Sequence, residues 1–180
     1  AIGAFKIESV PFSHIPMYSG YRSIEKHSLE YFNSKNEAIE LSKECVESHI
    51  LAKQFPQAKT LIEQLSRDGI DMVIISASVT FLVEAVGRRL NIPTVLGIDL
   101  IEKDNCYTAE IDGVPSYREG KVTRLKRWLE NQPEPYSEIH FYTDSINDLP
   151  LCEYADYTYL VNPCPRLKEH ANRSNWMLLR

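Results

Sequence analysis

Apolar and polar residues alternate along this chain with two different periods. Nearly continuous apolar runs at 71–76 and 94–98 are typical of strands that are buried on both faces of a parallel sheet. Further strands are predicted at 139–143 and 157–161, and an edge strand at 176–179. Between them, apolar residues recur at the spacing of a helix face, which predicts helices over about 34–50, 56–68, 79–90, 120–129, 148–154 and 166–173. Strands that alternate with helices predict an α/β fold, a Rossmann-like parallel sheet with helices on both faces.

Two stretches do not follow this alternation. Residues 4–10 alternate between apolar and polar side chains, which favours a short strand, and Pro11, Pro16 and Gly20 then interrupt the pattern. Asp112-Gly113 stands between two short β-like segments and predicts the turn of a hairpin.

Composition narrows the class of protein. The 180 residues have room for one domain, and the net charge of −5 argues against a partner nucleic acid. The four cysteines form no CxxC pair, so we expect thiols in a reducing, cytoplasmic compartment. No apolar run is long enough to span a membrane and no leader is recognisable. The chain begins with Ala1 and not with Met, so we expect that sequence upstream of it has been removed, processed or left out.

Polar side chains stand where two predicted strands end. Ser76 ends the strand at 71–76, and its hydroxyl, together with the backbone N–H groups of Ala77 and Ser78, can hold a phosphate oxygen near the start of the next helix. Asp144 follows the strand at 139–143. A serine at the end of a strand is common, so Ser76 alone indicates little.

Two further groups of polar residues complete the pattern. Asp144, Asn147 and Asp148 gather oxygen ligands suited to a hard cation such as Mg2+, although an ordinary helix cap would also explain them. Lys121 follows Gly120 at a predicted helix start and could neutralise a phosphate, although a solvated surface lysine is the common alternative. The order of strand-end Ser, helix-start Lys and strand-end Asp is more specific than any single part.

With these stretches the chain resembles the haloacid dehalogenase superfamily, in the subgroup near phosphoserine phosphatase and histidinol-phosphatase-like hydrolases. The resemblance extends from about residue 36 to 180 and is carried by 73–78, 119–125, 141–151 and 161–176. It implies Mg2+-dependent hydrolysis of a small phosphorylated metabolite. It also implies residue roles: phosphate and substrate binding by Ser76, Ala77, Ser78 and Asn147, catalysis by Lys121 and Asp148, and metal binding by Asp144. Residues 1–50 would be an N-terminal segment with a small or incomplete helical cap, and 51–180 the Rossmann-like core.

The chain departs from the family at its first motif, Asp-x-Asp-Gly-Thr, whose first aspartate is the nucleophile. No aspartate precedes Asp68, and Glu8 is a poor substitute. The family's first strand lies in the middle of the sheet, so we expect a structural gap there as well. Two functions stay open: a phosphatase whose nucleophilic aspartate lies outside this chain, or a non-catalytic phosphate-binding or interaction module. The sequence upstream of Ala1 would distinguish them.

Other kinds of site are weaker alternatives. Ser76 or Ser78 with His140 and Asp144 could form a hydrolase triad, but the G-x-S-x-G elbow is missing. Neither a dinucleotide-binding G-x-G-x-x-G nor a Walker-type phosphate loop occurs. We therefore expect Ser76, Lys121 and Asp144 to converge in one cleft. The sequence indicates neither the particular phosphomonoester nor the oligomeric state.

Overall fold

The computed structural model describes residues 2–5, 34–54 and 56–179 of the chain. A six-stranded sheet forms its centre, with the strand order β3-β2-β1-β6-β7-β8, and every neighbouring pair is parallel. The strands of this sheet are β1 (Ile2–Phe5), β2 (Asp71–Val79), β3 (Thr94–Ile98), β6 (Ile139–Thr143), β7 (Tyr157–Val161) and β8 (Trp176–Leu179). The predicted α/β fold is confirmed.

In the described ranges, six α-helices connect the strands. They are α1 (Lys35–Cys45), α2 (Pro56–Arg67), α3 (Thr80–Leu90), α4 (Glu119–Glu130), α5 (Leu149–Tyr154) and α6 (Pro165–Lys168). The Ser34 hydroxyl caps α1 by accepting a hydrogen bond from the Glu37 N–H at 3.2 Å. A π turn (Val46–Ile50) and a 3-10 turn (Leu51–Lys53) then continue this helix. No helix in the described ranges is both long and apolar enough to cross a membrane.

Strand β1 occupies the middle of the sheet, and the gap expected there is not found. Ile2 pairs with Asp71 on β2 and with Ile139 on β6. The strand predicted at 4–10 therefore begins earlier, and its part beyond Phe5, including Glu8, lies outside the described residues. The boundary at residue 50 between a cap segment and a core stays a prediction, and β1 belongs to the core sheet.

The two faces of the sheet are covered by different helices. Side chains alternate along β2, so Met72 and Ile74 pack with residues of α1, α2 and α3, whereas Val73 and Ile75 pack with Leu125 of α4 and with residues of α5 and α6. Helices therefore cover both faces, as the sequence predicts for a buried parallel sheet.

The predicted hairpin turn was placed wrongly. The antiparallel pair is β4 (Leu100–Lys103) and β5 (Cys106–Ile111), and the turn between the two strands is at Asp104-Asn105. Both turn residues have positive φ, 52° and 61°, which is the conformation of a type I′ hairpin turn. Gly113 also has a positive φ, but it leads from β5 toward α4.

Two other boundaries differ from the predicted ones. Strand β2 continues past Ser76 to Val79, with an irregularity in its pairing to β3 after Ile75. Helix α6 ends at Lys168, five residues before the predicted end at Arg173. Both differences lie in connecting regions, where local propensity decides less than the surrounding packing.

Candidate active site

The carboxyl ends of β2, β1 and β6 lie side by side. Phe5 pairs with Ile74 on one side and with Tyr142 on the other. Ser76 lies two residues after Ile74, and Asp144 lies two residues after Tyr142, so both extend equally far beyond Phe5. Adjacent strands are about 4.8 Å apart, so two side chains on either side of β1 are separated by roughly 10 Å. This topology supports the predicted cleft at the carboxyl edge of the sheet, where open α/β sheets bind ligands.

Lys121 lies in the first turn of α4, and a close backbone approach fixes its position. A Cβ added at Gly120 would lie 2.0 Å from the carbonyl oxygen of Pro115, so no other residue fits there without a shift. Arg118, immediately before the helix, has φ 49°, which is strained for a residue with a side chain. The chain thus turns tightly into α4 directly before Lys121.

The Lys121 side chain is buried, so the alternative of a solvated surface lysine is wrong. Only 2% of it is exposed, and its Nζ lies 2.6 Å from Oδ1 of Asp148, which is equally buried. The other carboxylate oxygen of Asp148, Oδ2, accepts a hydrogen bond from the Thr143 hydroxyl at 2.6 Å. A buried ion pair requires such additional hydrogen bonds, because both charges have lost their water.

Asp144 follows β6 directly, and both polar groups of the peptide that joins it to Ser145 are hydrogen-bonded. Its carbonyl oxygen accepts a hydrogen bond from the Cys164 N–H at 2.8 Å. The Ser145 N–H donates to the Thr143 hydroxyl at 3.2 Å, and the Ser145 hydroxyl accepts from the Asn147 N–H at 3.3 Å. Ser145, and not Asp144 or Asn147, therefore caps the short 3-10 turn Ile146–Asp148.

Ser76, Ala77 and Ser78 lie in the second half of β2. The Ser78 N–H donates to the Ser76 hydroxyl at 3.2 Å, which curls this end of the strand. Helix α3 begins at Thr80, four residues after Ser76 and within one residue of the predicted start. The structure brings Lys121 and Asp148 into direct contact. The substrate-binding roles of Ser76, Ala77, Ser78 and Asn147 stay predictions.

A second polar cluster on α4 was not predicted. Asp99 follows β3, and its two carboxylate oxygens accept from the Thr80 hydroxyl and, at 2.8 Å, from Nη1 of Arg124. The same Arg124 nitrogen donates to the Val114 carbonyl at 3.2 Å. Arg124 stands three residues after Lys121, so these contacts fasten the lysine's helix to β3 and to the start of α3. A polar residue directly after the apolar run of β3 was the available sequence signal.

The predicted magnesium site at Asp144 stays a prediction. No group of three or more His, Cys, Asp and Glu side chains that could hold a metal occurs in the described part of the chain. Lys121 and Thr143 engage both oxygens of Asp148, which leaves Asp144 as the predicted carboxylate ligand. Mg2+ commonly keeps several waters and binds through one or two carboxylates and the phosphate of a substrate.

His140 takes no part in a catalytic triad. Its Nδ1 lies 2.9 Å from the Tyr159 hydroxyl, and its ring stacks on Tyr157. His140 and Met72 both pair with Gly3 on β1, so His140 stands beside Met72 across the sheet. Ser76 lies four residues further along β2 than Met72. At about 3.3 Å per residue this separation excludes a hydrogen bond between His140 and Ser76.

Cys152 of α5 lies fully buried behind Asp148. Burial, together with the Asp148 carboxylate, raises the pKa of its thiol to about 12. The thiol is therefore protonated and unreactive at neutral pH, so Cys152 is no alternative nucleophile. None of the four cysteines, all of which lie in the described ranges, forms a disulfide.

Comparison with known proteins places this site in a family context. The family model of haloacid dehalogenase-like hydrolases matches residues 10–153. A histidinol-phosphatase of Neisseria meningitidis is 32% identical over 150 residues, which are 81% of this chain and 68% of that protein. A probable phosphatase of Mycobacterium tuberculosis is 30% identical over 125 residues, 69% of this chain and 43% of that protein. The chain thus spans about two thirds of the first relative and less than half of the second.

Solved structures share the fold. A protein of unknown function from Bordetella pertussis superposes with a TM-score of 0.76 at 29% identity, over 82% of this chain and 67% of the other. A phosphoserine phosphatase in the form of a phospho-aspartyl intermediate analogue has a TM-score of 0.64 at 17% identity, over 99% of this chain and 93% of the other. At that identity the second comparison concerns the fold alone.

Proposed function

Because this chain belongs to the haloacid dehalogenase-like hydrolases, we propose that it is the phosphate-binding core of a Mg2+-dependent phosphomonoester hydrolase. The substrate would be a small phosphorylated metabolite such as histidinol phosphate or phosphoserine, since relatives carry the names of the corresponding phosphatases. The observation that carries the proposal is the buried pair of Lys121 and Asp148 beside the carboxyl edge of the sheet.

Each polar residue of the edge has a role in this proposal. The Lys121 ammonium neutralises the phosphoryl group, and Asp148 holds that ammonium in place. The Ser76 hydroxyl, with backbone N–H groups of the same strand end, binds a second phosphoryl oxygen. Asp144 holds Mg2+ and Asn147 orients the substrate. Prearranged charges in a site with little water stabilise the transition state strongly, because they need no reorganisation during the reaction.

Hydrolysis in this family proceeds through an aspartyl-phosphate, as the resemblance implies. The first aspartate of the family's first motif attacks phosphorus, the ester P–O bond breaks, and the leaving alkoxide takes its proton from the motif's second aspartate, which regains a proton from the water of the next step. Water then attacks the acyl-phosphate, releases inorganic phosphate and restores the carboxylate. Mg2+, when bound, supplies charge stabilisation to the phosphoryl oxygens. Every residue named above serves binding and charge neutralisation, and none of them is the attacking group.

A second candidate function is a non-catalytic phosphate-binding module, and the position of β1 favours it. Because β1 already fills the middle of the sheet, the place of the family's first motif falls directly after Phe5. The sequence there is Lys6-Ile7-Glu8, without the two aspartates. An aspartate upstream of Ala1 would precede this strand and would not follow it.

One experiment tests the proposal on the 180-residue chain. We expect inorganic phosphate to bind in calorimetric titration, and we expect Lys121→Ala to weaken this binding at least tenfold. Lys126→Ala is the matched control, because Lys126 is an exposed lysine on the same helix. We expect no Mg2+-dependent release of p-nitrophenol from p-nitrophenyl phosphate, because losing the attacking group removes most of the rate. Phosphate binding that is absent, or indifferent to Lys121, would refute the proposed site.

Turnover distinguishes the two candidates. The same assay is applied to any longer natural polypeptide that contains this chain and to the variant Lys6→Asp/Glu8→Asp. Turnover by the natural longer polypeptide selects the hydrolase. Turnover only in the double variant selects the non-catalytic module. Robust turnover by the 180-residue chain, lost in Lys121→Ala, would mean that a group other than an aspartate attacks phosphorus.

A further inference from the structure

The Thr143 hydroxyl lies between the two halves of the proposed site. Thr143 is the last residue of β6, and its side chain is as buried as those of Lys121 and Asp148. The hydroxyl donates to Oδ2 of Asp148 at 2.6 Å and accepts from the Ser145 N–H at 3.2 Å. One oxygen atom therefore contacts both the partner of the lysine and the loop that carries the predicted metal ligand.

On the lysine side, the hydroxyl fixes the orientation of a carboxylate. Asp148 meets Lys121 with Oδ1 and Thr143 with Oδ2. The contact with Thr143 helps to hold the carboxylate in the orientation in which Oδ1 meets the Lys121 ammonium. The position of the ammonium therefore depends on a residue that does not touch it. Hydrogen bonds to a charged group are among the stronger ones, which suits this role.

On the metal side, the hydroxyl fixes a peptide. The contact from Ser145 to Thr143 closes a turn around Asp144, and the Cys164 N–H holds the Asp144 carbonyl from the other side. Both polar groups of the peptide between Asp144 and Ser145 are therefore bonded, one of them to the Thr143 hydroxyl. The orientation of the backbone that carries Asp144 depends in part on the same hydroxyl.

We propose that Thr143 is a positioning residue that couples the metal-binding carboxylate of Asp144 to the phosphate-neutralising ammonium of Lys121. This inference rests on the proposed function of the site. The residue acts through Asp148 on one side and through the Ser145 peptide on the other, and it does not contact substrate. Mutation of such outer partners of metal sites typically lowers metal affinity 10–100-fold.

Two substitutions at this position separate the hydroxyl from the shape of the side chain. Thr143→Val keeps the branched shape and removes the hydroxyl, whereas Thr143→Ser keeps the hydroxyl. We expect Thr143→Val to weaken the binding of inorganic phosphate and of Mg2+ about tenfold each in calorimetric titration. We expect Thr143→Ser to stay within about threefold of the parent chain for both ligands, because both hydrogen bonds can re-form.

Thr158→Val is the matched control. Thr158 is also a fully buried strand threonine, on the neighbouring β7, and its hydroxyl donates to the Cys152 carbonyl at 3.0 Å, away from the proposed site. We expect this variant to lose thermal stability while keeping the affinities for phosphate and Mg2+. Equal losses of affinity in Thr143→Val and Thr158→Val would overturn the proposal, since loosened packing alone would then explain them.

Nuclear magnetic resonance gives a readout that needs no ligand, and its measurement on the parent chain does not depend on folding of the valine variant. In the parent chain we expect a protected hydroxyl proton of Thr143, and we expect the ammonium signal of Lys121 to shift in Thr143→Val but not in Thr143→Ser. A rapidly exchanging hydroxyl in the parent chain would overturn the inference. If the parent chain binds neither phosphate nor Mg2+, the proposed function fails by itself. The ammonium signal then still tests whether Thr143 positions Lys121, and an unchanged signal in Thr143→Val refutes this.

Discussion

Helix α4 carries two ion pairs one turn apart, and the two pairs differ in their exposure to solvent. The inner pair, Lys121 with Asp148, is 2.6 Å long, and both side chains are 2% exposed. The outer pair, Arg124 with Asp99, is 2.8 Å long, and its side chains are 16% and 40% exposed. Their similar lengths hide a large difference, because only the inner pair has lost its water.

This difference indicates what each pair does. A buried ion pair often adds nothing to stability, because removing two charges from water costs several kcal/mol per ion. The inner pair is therefore weak evidence for stability and better evidence for a site that needs a fixed charge. The outer pair shares its carboxylate with Thr80 and its guanidinium with the Val114 carbonyl, so it fastens α4 to its neighbours.

Removing one partner of the inner pair should lower the free energy of unfolding more than any other change to the two pairs. In Asp148→Ala the Lys121 ammonium stays buried without its ion partner, and we expect the free energy of unfolding to fall by about 3–5 kcal/mol. Urea denaturation followed by circular dichroism measures this. Glu153→Ala is the matched control, because Glu153 lies on the next helix and forms an exposed pair with Arg173. A loss below about 1 kcal/mol for Asp148→Ala, as for an exposed pair, would mean that Lys121 reaches water.

Replacing the whole inner cluster should have a smaller effect on stability, of the opposite sign. The triple variant Lys121→Met/Thr143→Val/Asp148→Leu removes both charges and the Thr143 hydroxyl together, so no buried charge is left without its ion partner. We expect a change between none and a stabilisation of about 1–4 kcal/mol, as for other buried ion pairs replaced by apolar residues. We also expect phosphate binding to disappear. A triple variant as unstable as Asp148→Ala would show that the pair itself contributes stability.

Breaking the outer pair should have the smallest effect. We expect Asp99→Ala to lower the free energy of unfolding by about 1 kcal/mol, because its partner can turn to solvent. We also expect this loss to shrink in 1 M salt, where exposed charges are screened within about 3 Å. The loss in Asp148→Ala should stay nearly constant with salt. If both losses respond equally to salt in urea denaturation, the two pairs do not differ in exposure.

Much of the fold could be predicted from the sequence because the strands are buried on both faces. The apolar runs at Thr94–Ile98, Ile139–Thr143 and Tyr157–Val161 agree with the observed strands residue by residue. The position of the hairpin turn was predicted wrongly because Asp112-Gly113 is the more familiar turn sequence. The actual turn is at Asp104-Asn105, where both residues adopt positive φ.

The sequence indicated where to look for a site, but it did not predict the contacts found there. The order of Ser76, Lys121 and Asp144 indicated the edge of the sheet, because strand ends and helix starts meet there. The burial of Lys121 was not foreseeable, since its partner is 27 positions away and the distance between them depends on how α4 packs. The contacts of Asp99 could not be predicted for the same reason, because its partners lie on two different helices.

The central place of β1 also has a consequence for how the chain folds. This four-residue strand comes first in the sequence, yet its partners begin at Asp71 and Ile139. During synthesis both of its edges stay unpaired until β2 has formed, and one edge stays unpaired until most of the chain has been made. Contacts between such distant segments slow folding, because a long loop must close before any pairing is gained. The two halves of the sheet, β3-β2 and β6-β7-β8, are therefore joined through β1 only after β6 has been made, and the carboxyl edge that carries the site is assembled late in folding.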